Sequence, residues 1–246
     1  MDIIVAYASN NLCYKSAQPM KPVGLLLHST GCNNPNLKRY VNCPTECGVN
    51  ANKNYWDVPQ PDGQKKCVHG FIGYDKNKKV RAAQILPHDI SSWGCGKGSK
   101  GSFNYNPTGF IQYELCEDST TDATYFKQAW DCAVELFAGL CVQYNLNPLG
   151  KNVIVSHKEA ATLGYASNHG DPEHWFAKHG KTMDDFRKAV KAKMGNATTT
   201  APSKAKYTVQ VGAFASKQNA ENYAAKIRKL TIDGQTVNAF VKEIKD

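Results

Sequence analysis

Short apolar runs that each end at a histidine stand out in the hydrophobic pattern of the chain. Residues 23–27 (VGLLL) have no polar interruption, which is typical of a strand buried on both faces, and the run ends at His28. A β-branched run at residues 153–155 (VIV) ends in the same way at Ser156 and His157. Side chains at strand ends leave the packed sheet, so these positions are candidates for chemistry.

Other apolar segments predict four more strands. Residues 67–74 (CVHGFIGY) and 80–86 (VRAAQIL) flank a short polar turn and indicate a hairpin. Residues 109–116 (GFIQYELC) form a further strand that carries Glu114 among apolar neighbours. A short β segment is expected at residues 3–7.

Helical periodicity is clearest at residues 121–144, where apolar side chains recur at helical spacing behind capping candidates. A second helix is expected to start at Thr182, where the sequence TMDD resembles a capping box, and to continue through Met194. The glycine-rich segment 93–101 lacks the Lys-Ser/Thr ending of a phosphate-binding loop. It is therefore interpreted as a flexible groove wall.

Composition divides the chain into two parts. Residues 196–206 (NATTTAPSKAK) are small, Thr-rich and without an apolar period, which predicts a linker. The segments before and after the linker are then a large domain at residues 1–195 and a small βαβ-like unit at residues 207–246. The elements expected in that unit are a strand at 207–211, an amphipathic helix at 217–230 and a strand at 237–244.

The formal net charge of +9 predicts attraction to a polyanion. An anionic cell-wall polymer, a membrane surface and nucleic acid are the candidates, but helix-turn-helix and zinc-finger patterns are missing, which disfavours nucleic acid. No apolar run approaches the ~20 residues that a membrane-spanning helix needs. The N-terminal sequence lacks the features of a signal peptide, so synthesis in the cytoplasm without the usual export signal is expected.

Nine cysteines are scattered along the chain. In a reducing cytoplasm most of them are expected to be free thiols. A second metal site is an alternative, formed by Cys43 and Cys47 with Cys32 and Cys67 on either side. The paired short spacings of a structural zinc site are absent, however, which disfavours that alternative.

The candidate chemistry lies at the two histidine-terminated strands. His28 and His157, with Asp171 in the loop that follows, supply the ligand types that Zn²⁺ takes at a three-ligand catalytic site. Glu114 is either a partner of a nearby cation or a general base beside that site. His169 either donates to a developing oxyanion or replaces Asp171 as the third ligand. Structural roles are assigned to the four remaining histidines, His69, His88, His174 and His179.

Four motifs together resemble a known family. LLLHST, VHGFIGY…VRAAQILP, GFIQYELCED and VSHKEA…NHGDPEHW occur in the order seen in zinc-dependent N-acetylmuramoyl-L-alanine amidases. The resemblance covers roughly residues 20–192 and is to the amidase-2 type, which is related to peptidoglycan-recognition proteins and common in phage and prophage lysins. It implies an α/β fold with a mixed central β-sheet flanked by helices. It also implies cleavage of the amide between N-acetylmuramic acid and the L-alanine of peptidoglycan.

The same resemblance implies roles for individual residues. Zinc would be held by His28, His157 and Asp171, and the strand glutamate of the family falls on Glu114. The position two before the last ligand, often Lys in relatives, is His169 here. Some relatives carry a tyrosine just before the histidine of the second strand, and in this chain that position is Val68.

The C-terminal sequence YTVQVGAFASKQNAENYAAKI resembles the first half of a SPOR domain, a peptidoglycan-binding module. Both parts of the chain therefore imply peptidoglycan as the partner, with action on the cell wall after release from the cell. The alternative is a recognition module that binds peptidoglycan without cutting it, as relatives that lack a zinc ligand do. The complete set of candidate ligands, together with Glu114, favours the enzyme.

Overall fold

The structure is a computed structural model of the 246-residue chain. It describes residues 1–59, 63, 65–119, 122–197, 216–227, 231–232 and 235–236. Two compact units are present, residues 1–200 and residues 201–246. Each unit is described by itself below.

A six-stranded mixed sheet forms the centre of the first unit. Its spatial order is β1-β4-β3-β5-β2-β6, with an antiparallel pair between β3 and β4 and parallel pairing elsewhere. The strands are β1 (Ile4–Val5), β2 (Gly24–Ser29), β3 (Gly70–Tyr74), β4 (Val80–Gln84), β5 (Phe110–Leu115) and β6 (Ile154–Ser156). All six strands expected in the first unit are found, β3 and β4 form the expected hairpin, and the mixed sheet flanked by helices is confirmed.

The helices of the first unit cover the sheet and its ends. They are α1 (Leu12–Ser16), α2 (Ala123–Gln143), α3 (His157–Leu163), α4 (Glu173–Phe176) and α5 (Met183–Ala197), with 3₁₀ turns at Leu37–Arg39 and Ala177–His179. Asp122 caps α2 by accepting hydrogen bonds from the backbone N–H groups of Thr124 and Tyr125. In the described part of the chain, no helix is both long and apolar enough to cross a membrane.

The start of α5 agrees with the expected capping box. The Thr182 hydroxyl accepts from the Asp185 backbone N–H at 3.1 Å, and the Asp185 carboxylate accepts from the Thr182 N–H at 3.0 Å. The helix continues to Ala197, two residues into the segment expected to be a linker. The remainder of that segment, residues 198–206, lies outside the described residues.

The two faces of the sheet have different environments. One face, with Leu25, Leu27 and Ile111, packs against α2 and α5 in the largest apolar cluster. The other face carries two separate apolar clusters, one around Leu26 and one around Phe71. His28 lies on this second face, because it is two residues beyond Leu26 in the same strand.

The second unit contains helix α6 (Lys217–Ile227), followed by an antiparallel pair of β7 (Thr231–Ile232) and β8 (Gln235–Thr236). The helix agrees with the sequence expectation over its described length. The strands expected at residues 207–211 and 237–244 lie outside the described residues.

Two histidines in the first unit are held in the neutral form by their surroundings. His69 Nε2 donates to the Ile90 carbonyl at 3.0 Å, and its Nδ1 accepts from the Gln112 backbone N–H at 2.9 Å. Burial, with the nearby His88, lowers the pKa of His69 to about 3. Burial likewise lowers the pKa of His88, whose Nε2 is hydrogen-bonded to the Tyr113 hydroxyl at 3.0 Å, to about 4.

These depressed pKa values predict that acid weakens the fold. Below a pH of about 6.5 the unfolded chain takes up protons on these histidines, whereas the folded chain does not until the pH nears their folded pKa values. Stability therefore falls as the pH drops from about 6.5 to about 4, by up to about 1.4 kcal/mol per pH unit for each histidine. His88→Gln, which cannot take a proton but keeps a partner for Tyr113, should reduce the slope. The pH dependence of stability is measured from the urea unfolding midpoints of the metal-free wild type and variant between pH 7 and 4.5. If the midpoint depends on pH equally in both proteins, the low pKa assigned to His88 is contradicted.

Candidate metal centre and active site

The site lies at the carboxyl ends of two adjacent parallel strands. Strand β2 pairs with β6 on one side and with β5 on the other, both in parallel. His28 is the fifth residue of β2, and His157 is the first residue of α3, directly after β6. Parallel neighbours end at the same edge of a sheet, so the two imidazoles meet although 129 positions separate them.

Local hydrogen bonds fix the position of His157 at the start of α3. Ser156 caps α3, with its hydroxyl accepting from the Glu159 N–H at 2.9 Å and the Glu159 carboxylate accepting from the Ser156 N–H at 3.0 Å. Arg187 of α5 binds both oxygens of Glu159, at 2.8 and 2.9 Å. The turn from strand to helix is thereby tied to the helix behind it.

Asp171 reaches the two imidazoles from the loop before α4. Its carboxylate accepts from the Ser29 backbone N–H at 3.3 Å, and its backbone carbonyl accepts from the Lys158 N–H at 3.3 Å. Its Oδ2 lies 3.2 Å from His28 Nδ1, and its Oδ1 lies 3.4 Å from His157 Nδ1. Contacts to both strand ends thus hold this side chain in place.

The three side chains form a compact group of possible ligands. The Nδ1 atoms of His28 and His157 are 3.1 Å apart, and one ligand atom from each of the three residues lies within 4.8 Å of the others. Both imidazoles are buried, with 1% and 4% exposure. Among the residues that the structure describes, this is the group that brings three potential metal ligands together, and none of the cysteines belongs to it.

The charge of Asp171 is stabilised by its neighbours. Burial opposes its ionisation, but hydrogen bonds from His157 and His28, and the charges of these two groups, outweigh burial and hold the pKa of the carboxyl well below its usual range. Asp171 is therefore an anion over the whole physiological pH range. An anionic oxygen beside two imidazole nitrogens is a donor set suited to a divalent cation.

Glu114 lies on the same face of the sheet as His28. The two residues are partners in the parallel register of β5 and β2, and paired positions point to the same side. Burial, then the charges of Asp171 and Glu117, raises the pKa of the Glu114 carboxyl well above its usual value. Its Oε2 is buried and has no hydrogen-bond partner among the described residues. Such an atom fits a group that acts on a molecule entering the site.

His169 sits at the rim of the group, with its side chain exposed. Its ring centroid is 4.5 Å from that of His157, and its Nδ1 lies 3.1 Å from the Ser167 hydroxyl. Both positions that the sequence offered for the third ligand are thus near the site. The carboxylate of Asp171, however, is the group that contacts both imidazoles.

The residues present fit zinc. A tetrahedral ion with bonds of about 2.0–2.1 Å places its ligand atoms roughly 3.3 Å apart. The two Nδ1 atoms are 3.1 Å apart, and the carboxylate approaches them with different oxygens, Oδ2 at 3.2 Å from His28 and Oδ1 at 3.4 Å from His157. Two imidazole nitrogens that face each other at such a distance repel unless a proton or a cation lies between them.

Sequence patterns alone missed several polar residues around the site. Gln112, Asn104 and Ser167 are hydrogen-bonded to the two imidazoles or to one another. Glu117 joins the chain after β2 to α4, since its carboxylate accepts from the Gly31 N–H at 3.0 Å and lies 2.9 Å from His174 Nε2. The one available signal was the position of Gln112, an amide in the middle of a strand that is apolar apart from Glu114.

Comparison with known families identifies the class of protein. Residues 18–174 match the amidase-2 family, described as N-acetylmuramoyl-L-alanine amidase, and residues 203–245 match the SPOR domain. The first match spans well over half of the chain and includes the three candidate ligands, Glu114 and His169. The chain therefore belongs to the N-acetylmuramoyl-L-alanine amidase family.

Solved structures with a similar fold carry related descriptions. The Staphylococcus aureus hydrolase AmiA, in complex with its ligand, aligns with a TM-score of 0.57 and 20% identity over 82% of this chain and 87% of that chain. The PlyG catalytic domain aligns with a TM-score of 0.53 and 21% identity over 82% of this chain and 100% of that domain. At such identity the likeness supports the fold alone. Comparison with curated protein sequences gives no match.

Family membership gives the activity in plain terms. The protein is a peptidoglycan hydrolase that cleaves the amide bond between N-acetylmuramic acid and L-alanine, and it acts on the cell wall. Val68, at the position where some relatives carry a tyrosine, is fully buried in the apolar cluster around Phe71. Residue 68 therefore supplies no hydroxyl group to the reaction.

Proposed function

We propose that this amidase is a zinc enzyme in which His28, His157 and Asp171 hold the metal. The observation that carries the proposal is the convergence of two buried Nδ1 atoms and an anionic carboxylate within 3.4 Å contacts. Zinc at this position would supply a charge that polarises the scissile carbonyl and lowers the pKa of water. The repulsion between the two facing nitrogens gives a physical reason for a cation there.

Glu114 is proposed as the general base and then the general acid. Its raised pKa makes the deprotonated carboxylate a stronger base, so that it can take a proton from the attacking water. Water oxygen bonds to the carbonyl carbon of the lactyl group as this proton leaves. Glu114 then returns the proton to the nitrogen of L-alanine while the carbon–nitrogen bond breaks, which yields a carboxylic acid and a free amine.

His169 is proposed to donate a hydrogen bond to the negative oxygen that develops on the carbonyl. Its Nδ1 donates to the Ser167 hydroxyl, so Nε2 of this exposed ring donates to a substrate when the imidazole carries a proton on both nitrogens. The contact with the His157 ring keeps it beside the proposed metal position. This role needs a donor and not a ligand, which agrees with the exposure of the side chain.

The second unit is proposed to hold the enzyme on its substrate. Residues 203–245 match the SPOR domain, and helix α6 contributes the cations Lys217 and Lys226. In this division residues 1–195 carry catalysis, residues 196–206 connect, and residues 207–246 bind peptidoglycan. All of the proposed catalytic groups precede the connecting segment.

Removal of a ligand should remove the metal. His157→Ala and Asp171→Ala are expected to lose the stoichiometric zinc of the purified protein, because two remaining ligands bind zinc poorly. His169→Ala should keep zinc and turn over more slowly. Elemental analysis after desalting measures this, with His179→Ala as the matched control, since that ring stacks on Phe126. Zinc lost from His169→Ala and kept by Asp171→Ala would reassign the third ligand.

Neutralising the base should separate binding from turnover. Glu114→Gln is expected to keep zinc and to lower kcat by about 10²–10⁴-fold, because an amide cannot accept the proton of water. The assay is mass spectrometry of products from a soluble muropeptide, which also verifies the bond that is cut. Glu135→Gln on α2 is the control for loss of a carboxylate. A kcat near that of the wild type in Glu114→Gln would exclude this residue as the base.

Removal of the second unit should lower the rate of hydrolysis only on intact cell walls. A chain of residues 1–200 is expected to hydrolyse soluble muropeptide at the full-length rate, since it contains the whole sheet and site. On intact walls it should be slower, because a tether raises the local concentration of enzyme at its substrate. If charge dominates, added salt should narrow the difference. Equal rates of both chains on intact walls at low and moderate salt would refute an anchoring role.

A further inference from the structure

Each of the two imidazoles of the site has its second nitrogen held by a polar side chain. His28 Nε2 lies 3.0 Å from Gln112 Oε1, and His157 Nε2 lies 3.4 Å from the Ser167 hydroxyl. In a neutral imidazole one nitrogen carries the proton and the other has the free electron pair. The partner of Nε2 therefore decides whether Nδ1 can serve as a ligand.

For His28, the backbone of the glycine-rich loop sets which nitrogen carries the proton. The N–H groups of Gly94 and Cys95 both donate to Asn104 Oδ1, at 3.0 and 3.2 Å. Two backbone donors fix this atom as the oxygen of the amide. The Asn104 amide nitrogen in turn donates to the Gly96 carbonyl and to the Ser102 hydroxyl.

The orientation of Asn104 then sets that of Gln112. Because Asn104 Oδ1 only accepts, the Gln112 atom that lies 2.9 Å from it must be the amide nitrogen. The Gln112 oxygen must therefore face His28, and it can only accept as well. His28 Nε2 consequently carries a proton, and Nδ1 is the nitrogen that faces His157 and Asp171, where it can bind a cation or, in the metal-free chain, a second proton.

The same loop orients the second imidazole through one hydroxyl. Ser167 Oγ donates its single proton to the Cys95 carbonyl at 3.1 Å, and the Ser167 N–H donates to the same carbonyl at 2.8 Å. The hydroxyl can then only accept, from His157 Nε2 at 3.4 Å and from His169 Nδ1 at 3.1 Å. Cys95 thus supports both imidazoles, through its N–H on the side of His28 and through its carbonyl on the side of His157.

We propose that Asn104, Gln112 and Ser167 are positioning residues that hold both histidines in the Nε2–H form, so that both Nδ1 atoms can bind the metal. This inference rests on the proposed zinc site and adds the reason why the site is preorganised. Asn104 and Gln112 are completely buried. The glycine-rich loop, interpreted from sequence as a flexible groove wall, is instead the frame of this network.

Close packing at Gly94 supports the assignment. A Cβ atom at this position would lie 2.6 Å from Gln112 Oε1 and 2.5 Å from Val68 Cγ1. Both distances are shorter than any ordinary contact, so a side chain here would displace the oxygen that faces His28. The loop backbone therefore fits against the amide of Gln112 with no room for a side chain.

The tautomer can be observed without metal and without substrate. Long-range ¹H–¹⁵N spectra of the metal-free, histidine-labelled full chain, assigned with His28→Ala and His157→Ala, distinguish Nε2–H from Nδ1–H. In the wild type we expect a proton on Nε2 of both rings, with any second proton of the metal-free site on Nδ1. Gln112→Met, which keeps the volume but removes the acceptor, should give a mixture at His28. A wild-type His28 ring whose only proton is on Nδ1, with Nε2 unprotonated, would overturn the proposal.

Zinc affinity provides a second readout. Gln112→Met should weaken zinc binding, measured by competition with a chromogenic chelator, by about 10–100-fold. Gln84→Met, which removes an amide bonded to the Leu86 carbonyl, is the matched control and should bind zinc as the wild type does. Unchanged affinity in a folded Gln112→Met would refute the role of Gln112.

Two further variants keep the test decisive. Ser167→Ala should weaken zinc binding and alter the His157 tautomer, whereas Ser99→Ala, which changes an exposed serine of the glycine-rich loop, should change neither. If Gln112→Met fails to fold, the wild-type tautomers and Ser167→Ala still decide the question. Zinc kept by His28→Ala would instead refute the metal site itself, and the tautomers of the metal-free chain would stand apart from that result.

Discussion

The parallel pairing of β2 with both of its neighbours is the constraint on which the site depends. The register places His28 opposite Glu114 on one side and Leu27 opposite Ser156 on the other. The carboxyl ends of three strands, far apart in sequence, therefore meet at one edge of the sheet. Burial of the opposite face beneath α2 and α5 holds this register, because a slip of one residue would turn His28 into the apolar core.

Polar groups on the site's face of the sheet lie between two apolar clusters, where they are costly unless they are paired. Gln112, Asn104 and Ser102 satisfy one another and the loop backbone, and Asp171 is stabilised by the two imidazoles. The buried oxygen of Glu114 is without a partner in the described part of the chain. A fully bonded frame around an unpaired carboxyl is what a preorganised hydrolytic site requires.

Much of this arrangement could be predicted from the sequence. Uninterrupted apolar runs gave the strands, because a strand buried on both faces has no polar period, and helical spacing with an Asp cap gave α2. His28 and His157 were found because each ends such a run. Boundaries shifted by one to three residues, as at β3, which begins at Gly70 and not at residue 67. The glycine-rich loop was misjudged, because its bonding partners are distant in sequence.

By itself, the sequence determined the six strands of the central sheet, the two long helices, the residue types at the strand ends and the family, since these depend on local periodicity and on motifs in order. Only the tertiary structure decided that the Asp171 carboxylate contacts both imidazoles while His169 stays at the rim. It likewise decided that Gln112 faces His28. The physical reason is that these contacts depend on strand register and loop closure, where shifts of about an ångström choose the partner and local sequence carries no record of them.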